Sequence, residues 1–274
     1  TSCLAPGDIN GDGLLNVVDI VALVNMILSG GYESIADLNN DGIVNVVDIV
    51  QMVNWILNGL PVQDIDGNVY ETVEIGNQVW MAENLRVTHY NNGDNIPTGY
   101  SDSQWENLTS GAYSIYDVES SQTTAECNGS CADIYGNLYN WFSVNDNRGI
   151  CPEGWRVPSN IDWEFLINHL GGYEYANKMK SIGTIEGGDG LWYNNNSDYL
   201  GTNESGFNAL PSGRRFFEGY STDMGYSALF WSTNGDGSSN NYSAYNLKLG
   251  WSTNEIYLAT WLSQDGFSIR CIQD

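Results

Sequence analysis

Basic residues are scarce in this 274-residue chain: 9 Lys and Arg stand against 34 Asp and Glu, which gives a net charge of −25 at pH 7. Proteins that bind DNA or RNA need basic patches, so this balance argues against a nucleic-acid partner and against an anionic membrane surface. A run of about 18 apolar residues is also missing, so no segment is expected to span a membrane. The acidic surface instead suits divalent cations and high solubility.

Histidine is equally rare, and the familiar catalytic motifs are missing. His89 and His169 are the only histidines and lie far apart in the sequence, whereas an iron site typically combines two His with a carboxylate. Neither a Gly-x-Ser-x-Gly motif nor a phosphate-binding loop occurs, and nothing singles out one carboxylate pair among the 34 acids. The sequence therefore predicts a protein that is not an enzyme.

With only five cysteines, one is left over if the others pair within the chain. Cys127 and Cys131 are close enough in sequence to close a small loop, while Cys151 and Cys271 lie near the two ends of the second half. No second pair or nearby His completes a zinc site at Cys127 and Cys131. Cys3 is then the odd thiol, either free or joined to a neighbouring chain.

What the chain does contain is a repeated acidic loop. The twelve residues from Asp8 to Asp19 have oxygen-bearing side chains at positions 1, 3, 5, 9 and 12 and glycine at position 6, and the pattern returns from Asp37 to Asp48. This spacing is that of a calcium loop, in which position 7 offers its main-chain carbonyl and position 9 acts through water. The expected ligands of two calcium ions are Asp8, Asn10, Asp12, Leu14, Asn16, Asp19, Asp37, Asn39, Asp41, Ile43, Asn45 and Asp48.

An amphipathic helix is predicted after each loop, but none before it, so the repeats are loop–helix units rather than complete EF-hands. Gly30 and Gly59 follow the two helices and are expected in the left-handed conformation. The inward-facing stripes are predicted to comprise Ile20, Leu23, Val24, Ile27 and Leu28 in the first helix and Ile49, Met52, Val53, Ile56 and Leu57 in the second.

Two such units in tandem resemble a type I dockerin over about residues 4–61. The resemblance implies calcium binding and docking on a cohesin module in an extracellular assembly. In that family, loop positions 10 and 11 help to choose the partner, and they carry Val17, Val18, Val46 and Val47 here, where many dockerins have Ser or Thr. Neighbouring helical positions point in directions about 100° apart, so at least one valine of each pair is expected to be exposed.

Calcium loops of this kind and paired cysteines both point to an extracellular protein. We expect it to be secreted or displayed at the cell surface, with Thr1 as the N-terminus left after processing and no lipid on Cys3. Residues 1–61 contain seven acids and no base. Because these carboxylates repel one another without metal, the first 61 residues are expected to unfold in chelator while residues 62–274 do not.

The second half opens with a predicted β-hairpin. Val69 to Ile75 alternates apolar and polar residues, Gly76-Asn77 forms a turn, and the chain returns through Gln78 to Met81. Asp64 to Asn68 looks like the start of a third calcium loop, but position 12 is Ile75. We therefore interpret it as a turn before the strand.

One helix and five later strands are predicted beyond this hairpin. Ser159 is the expected N-cap of the helix, Asp162 lies in its first turn, and Gly171-Gly172 ends it. Its inner face is expected to comprise Trp163, Leu166, Ile167 and Leu170. Residues 91–150 and 183–205 are predicted to be mostly loop. The strands are predicted at 206–210, 226–232, 242–249, 254–260 and 266–272.

Residues 69–274 resemble the Fibrobacter succinogenes major paralogous domain. The matching segments are Gly76–Leu85, Cys151–Pro158, Gly206–Gly213, Phe230–Ser232 and Ser268–Cys271. That family is similar to formylglycine-generating enzymes and C-type-lectin-like folds, which implies a compact, loop-rich α+β domain with its two ends paired in one sheet. It also implies a disulfide between Cys151 and Cys271.

Together these patterns predict an α+β protein with a small all-α dockerin-like module at 1–61 and a C-type-lectin-like domain at 62–274. Arg214-Arg215 is interpreted first as an exposed turn or an internal salt bridge, and alternatively as a clamp for a carboxylate or an acidic sugar. Exposed aromatic residues beside Asn-rich loops are candidates for stacking on sugar rings, namely Trp192, Tyr193, Tyr220, Tyr226 and Trp251.

Three functions are weighed. The first is a calcium-dependent assembly and adhesion protein whose dockerin-like module docks on a cohesin-like partner. The second is a structural subunit that polymerises with copies of itself, motivated by the valines and Cys3. The third, an enzyme of the formylglycine-generating type, is disfavoured. Such enzymes use a strand-borne cysteine pair that holds copper, and Cys127 and Cys131 lie at the wrong end of the fold for it.

Overall fold

The computed structural model divides the chain into two compact units, Thr1–Pro61 and Val62–Asp274. Helices and antiparallel sheets are both present, so the predicted α+β class is confirmed. Cys3 lies outside the described residues. Among those residues, none of the helices has both the length and the apolar character needed to cross a bilayer. The structure describes residues 6–39, 41–118, 127, 130–194, 197–237 and 242–274.

The first unit consists of helices α1 (Val17–Ser29) and α2 (Val46–Asn58), with a short 3-10 turn at Ser34–Ala36 between them. Gly30 ends α1 in the predicted left-handed conformation, at φ 69° and ψ 24°. The prediction for Gly59 is wrong: its φ is 102° but its ψ is 161°. The N–H of Gly59 completes a helical bond to Trp55, and the chain then leaves the helix in an extended direction.

The core of this unit is smaller than the predicted stripes. Leu28 and Leu57 were expected to face inward but are 80% and 73% exposed. They lie in the last turns of the helices, and the described residues of this unit include no further helix or strand to cover them. Trp55 and Met26, outside the stripes, pack into the core instead. Its buried centre comprises Leu23, Ala36, Leu38, Met52 and Trp55.

The described residues of the second unit form many short strands and four further α-helices. The helices are α3 (Asp102–Trp105), α4 (Cys131–Tyr135), α5 (Trp141–Val144) and α6 (Asn160–Leu170). The strands are β1 (Val62–Gln63), β2 (Val69–Tyr70), β3 (Thr72–Ile75), β4 (Gln78–Met81), β5 (Tyr113–Ser114), β6 (Leu138–Asn140), β7 (Trp155–Arg156), β8 (Ser212–Arg215), β9 (Ser221–Met224), β10 (Ser227–Gly235), β11 (Ser243–Gly250), β12 (Ile256–Leu262), β13 (Gly266–Phe267) and β14 (Ile272–Gln273).

These strands form antiparallel sheets. The longest strands make a meander, β10-β11-β12, while a five-stranded sheet runs β5-β6-β13-β8-β9. In the sheet β3-β4-β14-β7, the last strand of the chain lies beside the early hairpin, with Ile272 opposite Trp80 and Arg156. The two ends of the domain are therefore paired in one sheet, as the family resemblance implies. Cys271 directly precedes β14 and forms a disulfide with Cys151.

The predicted hairpin and helix are present. Asp64 turns the chain, as interpreted, by accepting the backbone N–H groups of Asp66 and Asn68. The Ser159 hydroxyl caps α6 at the Asp162 N–H, and the expected inner face of α6 is buried. Trp163 on that face stacks on Trp80 of β4 with ring centroids 4.7 Å apart.

Several strand predictions are wrong. Residues 206–210 form only a single bridge, Lys180 to Ala209, because Asn208 has φ 53° and interrupts the extended backbone. The polar strands β8 and β9 were missed, since they lack an apolar pattern. The segment 266–272 is divided between β13 and β14, which belong to different sheets. The predicted loop 91–150 contains α3, α4 and α5.

Candidate functional site: two acidic loops and two apolar faces

The two acidic loops have the same internal hydrogen bonds. In the first, the Asp8 carboxylate accepts the N–H groups of Asp12 and Gly13 at 3.1 and 2.9 Å. In the second, Asp37 accepts those of Asp41 and Gly42 at the same two distances. Both glycines have φ near 84°, a conformation that disfavours a side chain. The first carboxylate of each loop is thus held in place by the turn that the glycine permits.

The last carboxylate closes each loop onto its helix. Asp19 accepts the N–H of Ile9 at 3.0 Å with one oxygen and the N–H of Asn16 at 3.0 Å with the other. Asn16 in turn caps α1 by accepting the Val18 N–H at 2.8 Å, which completes a capping box. Asp48 and Asn45 repeat this arrangement at α2. The sequence predicted a metal role for Asn16 and Asn45, but not their role as helix caps.

Buried negative charge is the main electrostatic feature of this unit. The side chains of Asp8, Asp19, Asp37 and Asp48 are all at most 7% exposed, and residues 1–61 contain no Lys or Arg to balance them. Burying carboxylates without a basic partner is costly, so these loops favour a bound cation. A hard divalent cation fits these oxygen donors.

The donors in the loops are not carboxylates alone. Among the described residues, no three or more His, Cys, Asp or Glu side chains lie together so that they could hold a metal ion by themselves. The loops therefore depend on amide and main-chain oxygens as well. Two of the predicted donor oxygens, Asp12 Oδ2 and the Leu14 carbonyl, accept hydrogen bonds from the amides of Asn10 and Asn16. These bonds are exposed and replaceable by a cation.

Beside each loop lies a face of exposed apolar side chains. Val17 and Val18 are 64% and 53% exposed, and Val46 and Val47 are 65% and 50% exposed, so both members of each pair face solvent. The sequence did not predict that four further residues extend these faces. The first apolar face comprises Leu14, Val17, Val18 and Val21, and the second apolar face comprises Ile43, Val46, Val47 and Val50.

The adjacent arginines in the second unit are engaged internally. Arg214 lies in β8, forms an ion pair with Asp223 at 3.1 Å, and stacks its guanidinium over Trp261 at 4.3 Å. Arg215 is buried, where it donates to the carbonyls of Gly219 and Tyr100 at 2.7 and 2.8 Å. These contacts correspond to the internal salt-bridge interpretation rather than to a surface clamp.

The aromatic candidates separate into buried and accessible residues. Trp192 was expected to be exposed but is 3% exposed, with its indole N–H donating to the Ala209 carbonyl at 3.1 Å, so it cannot stack on a ligand. Tyr193 and Tyr226 stack on each other with centroids 4.2 Å apart. Trp251 meets the edge of Tyr226 at 5.5 Å. These three rings are partly exposed, and Trp251 also packs against a buried apolar cluster of the second unit.

Comparison with known families finds a matching family model for each unit. The model of the Fibrobacter succinogenes major domain matches residues 73–273, well over half of the chain, so the chain belongs to this family. The model of the dockerin type I domain matches residues 6–57, so the first unit is a type I dockerin domain. Such domains bind calcium and dock on cohesin modules, which gives the chain a protein-interaction role. No curated protein and no solved structure matches the chain.

Proposed function

We propose that this protein is a secreted, non-enzymatic component of a calcium-dependent extracellular assembly. Its dockerin domain binds two calcium ions and docks on a cohesin-type module through one of the two apolar faces. The major domain presents a binding surface to a further ligand. The observation that carries the proposal is the repetition, in both halves of the dockerin domain, of a buried-carboxylate loop with four exposed apolar side chains in and just after it.

The calcium loop lies directly beside the side chains proposed for docking. Val17 and Val18 begin α1 directly after Asn16, whose conformation depends on Asp19 at the end of the loop. Calcium that neutralises the buried carboxylates therefore also fixes the first turn of the helix that displays the valines. Apolar side chains at these positions favour a partner with an apolar contact surface over one that donates and accepts hydrogen bonds.

A non-enzymatic role is supported by the state of the cysteines and histidines. Cys127 and Cys131 are joined in a disulfide, so neither offers a free thiol for copper. His89 is held by Asp66, with 2.5 Å between Nδ1 and the nearest carboxylate oxygen. This contact lies at the turn before β2, where it joins two loops.

Capture of the full chain by immobilised cohesin modules tests the proposal. We expect capture in calcium and its loss in chelator, and also its loss after alanine replacement of Asp8, Asp12, Asp37 and Asp41. Replacing Val17, Val18, Val46 and Val47 with Asp should abolish capture while both loops still bind calcium. The matched control is Leu28→Asp with Leu57→Asp, since these residues are even more exposed on the same helices but lie outside the faces. Capture that survives in the valine variant would contradict the proposed docking surface.

Two apolar faces on one domain also favour a second candidate, a subunit that assembles with copies of itself. Its docking surface would then be the neighbouring chain rather than a cohesin. Light scattering of the purified chain distinguishes the two. A large species in calcium that dissociates in chelator supports self-assembly, whereas a monomer in both conditions supports a separate partner.

A further inference from the structure

A cleft of about 830 Å³ opens on the second unit, away from the residues singled out in the sequence. Its volume falls within the range of roughly 300–1,000 Å³ that small-molecule sites occupy. Its wall combines two aromatic side chains, Phe142 and Tyr242, with five hydroxyl and amide side chains from Thr109, Ser110, Asn145, Asn147 and Gln264. Tyr242 is 59% exposed, so much of its side chain is open to solvent.

The polar side chains of this wall are open to hydrogen bonding with a ligand. None of the side chains of Thr109, Ser110, Asn145, Asn147, Tyr242 and Gln264 hydrogen-bonds to another described residue, although the backbones of Ser110, Asn145, Tyr242 and Gln264 do. Each amide offers two donors and an acceptor, and each hydroxyl offers one donor and two lone pairs. The cleft therefore presents a dense set of donors and acceptors to which a ligand can bond.

The backbone that carries these side chains is held from beneath by buried groups. The Ser263 N–H donates to the Tyr242 carbonyl, and the Ser263 carbonyl accepts the Trp141 N–H, both at 2.9 Å. Ser263 is fully buried, so one residue joins the segments that contribute Tyr242, Gln264 and Phe142. The wall is thus fixed before a ligand arrives, which lowers the entropic cost of binding.

The third segment of the wall is fixed in the same way. The buried Asn140 side chain donates to the Ser110 carbonyl at 2.9 Å and accepts the Ala112 N–H at 3.0 Å. Gly111 lies between them, where a Cβ would come within 2.0 Å of the Tyr90 hydroxyl. Only glycine allows this segment to approach α5 closely enough to form one side of the cleft.

The charge of the cleft is balanced. Its lining includes no Lys or Arg, and its one carboxylate, Asp146, is held by Arg148 through both oxygens at 2.8 and 2.7 Å. Arg148 itself packs over the Tyr90 ring at 3.9 Å. An anionic ligand would find no free cation here, and a calcium ion would find no uncommitted carboxylate. The lining therefore favours a neutral ligand with many hydroxyl groups and an apolar face that stacks on aromatic rings.

We propose that this cleft is a calcium-independent binding site for a neutral oligosaccharide. Tyr242 and Phe142 pack against the C–H faces of sugar rings, and the amides and hydroxyls of the wall bond to sugar hydroxyls. This inference rests on the proposed function, in which the major domain presents a binding surface, and it names the ligand class of that surface. Its site shares no residue with the dockerin domain.

A panel of immobilised hexasaccharides tests the site with the full chain. The panel contains neutral gluco-, xylo-, manno- and galacto-oligosaccharides and an anionic oligogalacturonate, probed in calcium and in chelator. We expect at least one neutral member to bind equally in both conditions, with no binding to the anionic one. Tyr242→Ala should weaken the affinity by about tenfold or more, and Asn145→Ala and Gln264→Ala by smaller factors. Phe165→Ala, at a 63% exposed aromatic position on α6, is the matched control and should leave the affinity unchanged.

Failure of this inference is distinguishable from failure of the proposed function. No binding to any neutral member overturns the site, whether or not cohesin capture succeeds. Binding that survives both Tyr242→Ala and Asn145→Ala, or that disappears in chelator while the second unit remains folded, also overturns it. Loss of cohesin capture with sugar binding intact would instead count against the dockerin part of the proposal alone.

Discussion

The Asp48 carboxylate accepts the backbone N–H of Leu38 at 2.8 Å. Asp48 is the last residue of the second acidic loop, and Leu38 packs in the core of the dockerin domain. A loop that holds an ion is therefore bonded directly to the hydrophobic core of its domain. Asp19 and Ile9 form the same link in the first loop. We therefore expect calcium binding and the stability of this small domain to be coupled through these hydrogen bonds.

Replacing Asp48 with alanine should destabilise the dockerin domain even in excess calcium. The change leaves the N–H groups of Leu38 and Asn45 without their carboxylate acceptor and removes one of the predicted calcium ligands. Loss of a buried hydrogen bond to a charged group costs about 1.5–3 kcal/mol. Calorimetric titration should show one calcium site fewer, and thermal unfolding should begin earlier. Glu33→Ala, at an exposed acid of the same domain, is the control and should change neither.

Removal of calcium should unfold the dockerin domain and leave the major domain folded. Seven acids without a base repel one another when the ion is absent, whereas the second unit has two large apolar clusters and a long-range disulfide. Hydrogen exchange followed by mass spectrometry, with and without chelator, measures both units in the intact chain. We expect protection to be lost across residues 6–58. Equal loss in both units would disprove the separate response.

Asp265 should make the stability of the major domain depend on pH. Its side chain is 1% exposed and one of its oxygens has no partner among the described residues. Burial raises its pKa to about 7, against the opposing effect of nearby Arg214. The folded state therefore binds more protons than the unfolded state between about pH 4 and pH 7, and the free energy of unfolding falls as the pH rises through this window.

Denaturant unfolding in calcium at a series of pH values tests this expectation. Each pKa unit corresponds to about 1.4 kcal/mol, so Asp265 should contribute a fall of a few kcal/mol between the two ends of the window. Asp265→Asn keeps an acceptor for the Phe217 N–H but cannot ionise, and should flatten this part of the profile. An unchanged profile in the variant would show that another group is responsible.

The two disulfides should differ greatly in their effect on stability. The Cys151–Cys271 bond joins residues 120 apart, whereas the Cys127–Cys131 bond joins residues 4 apart. In the chain-entropy model a cross-link that closes a longer loop restricts the unfolded state more. Replacing Cys151 and Cys271 with alanine should lower the free energy of unfolding by about 2–5 kcal/mol. The same replacement at Cys127 and Cys131 is the matched comparison, and equal losses from both pairs would contradict the argument.

Local patterns in the sequence determined much of this protein. Both acidic loops, the helices after them and the start of α6 follow from residues within a few positions of one another, because turns and helix caps are short-range hydrogen-bonded structures. Helical geometry alone predicted that at least one of Val17 and Val18 is exposed, and the structure exposes both. One local prediction failed. A strand was predicted across Asn208, but this residue has a positive φ and the strand does not form.

The tertiary structure alone decided which polar and aromatic side chains are inside. Arg215 and Trp192 resemble surface residues in the sequence, but each finds backbone carbonyls from distant segments and becomes buried. The proposed sugar site could not be predicted either. Ser110, Phe142, Tyr242 and Gln264 come from well-separated parts of the chain and meet only because Asn140 and Ser263 join their backbones. Sequence determines contacts that close within a turn or a helix, while long-range packing determines which distant residues share a surface.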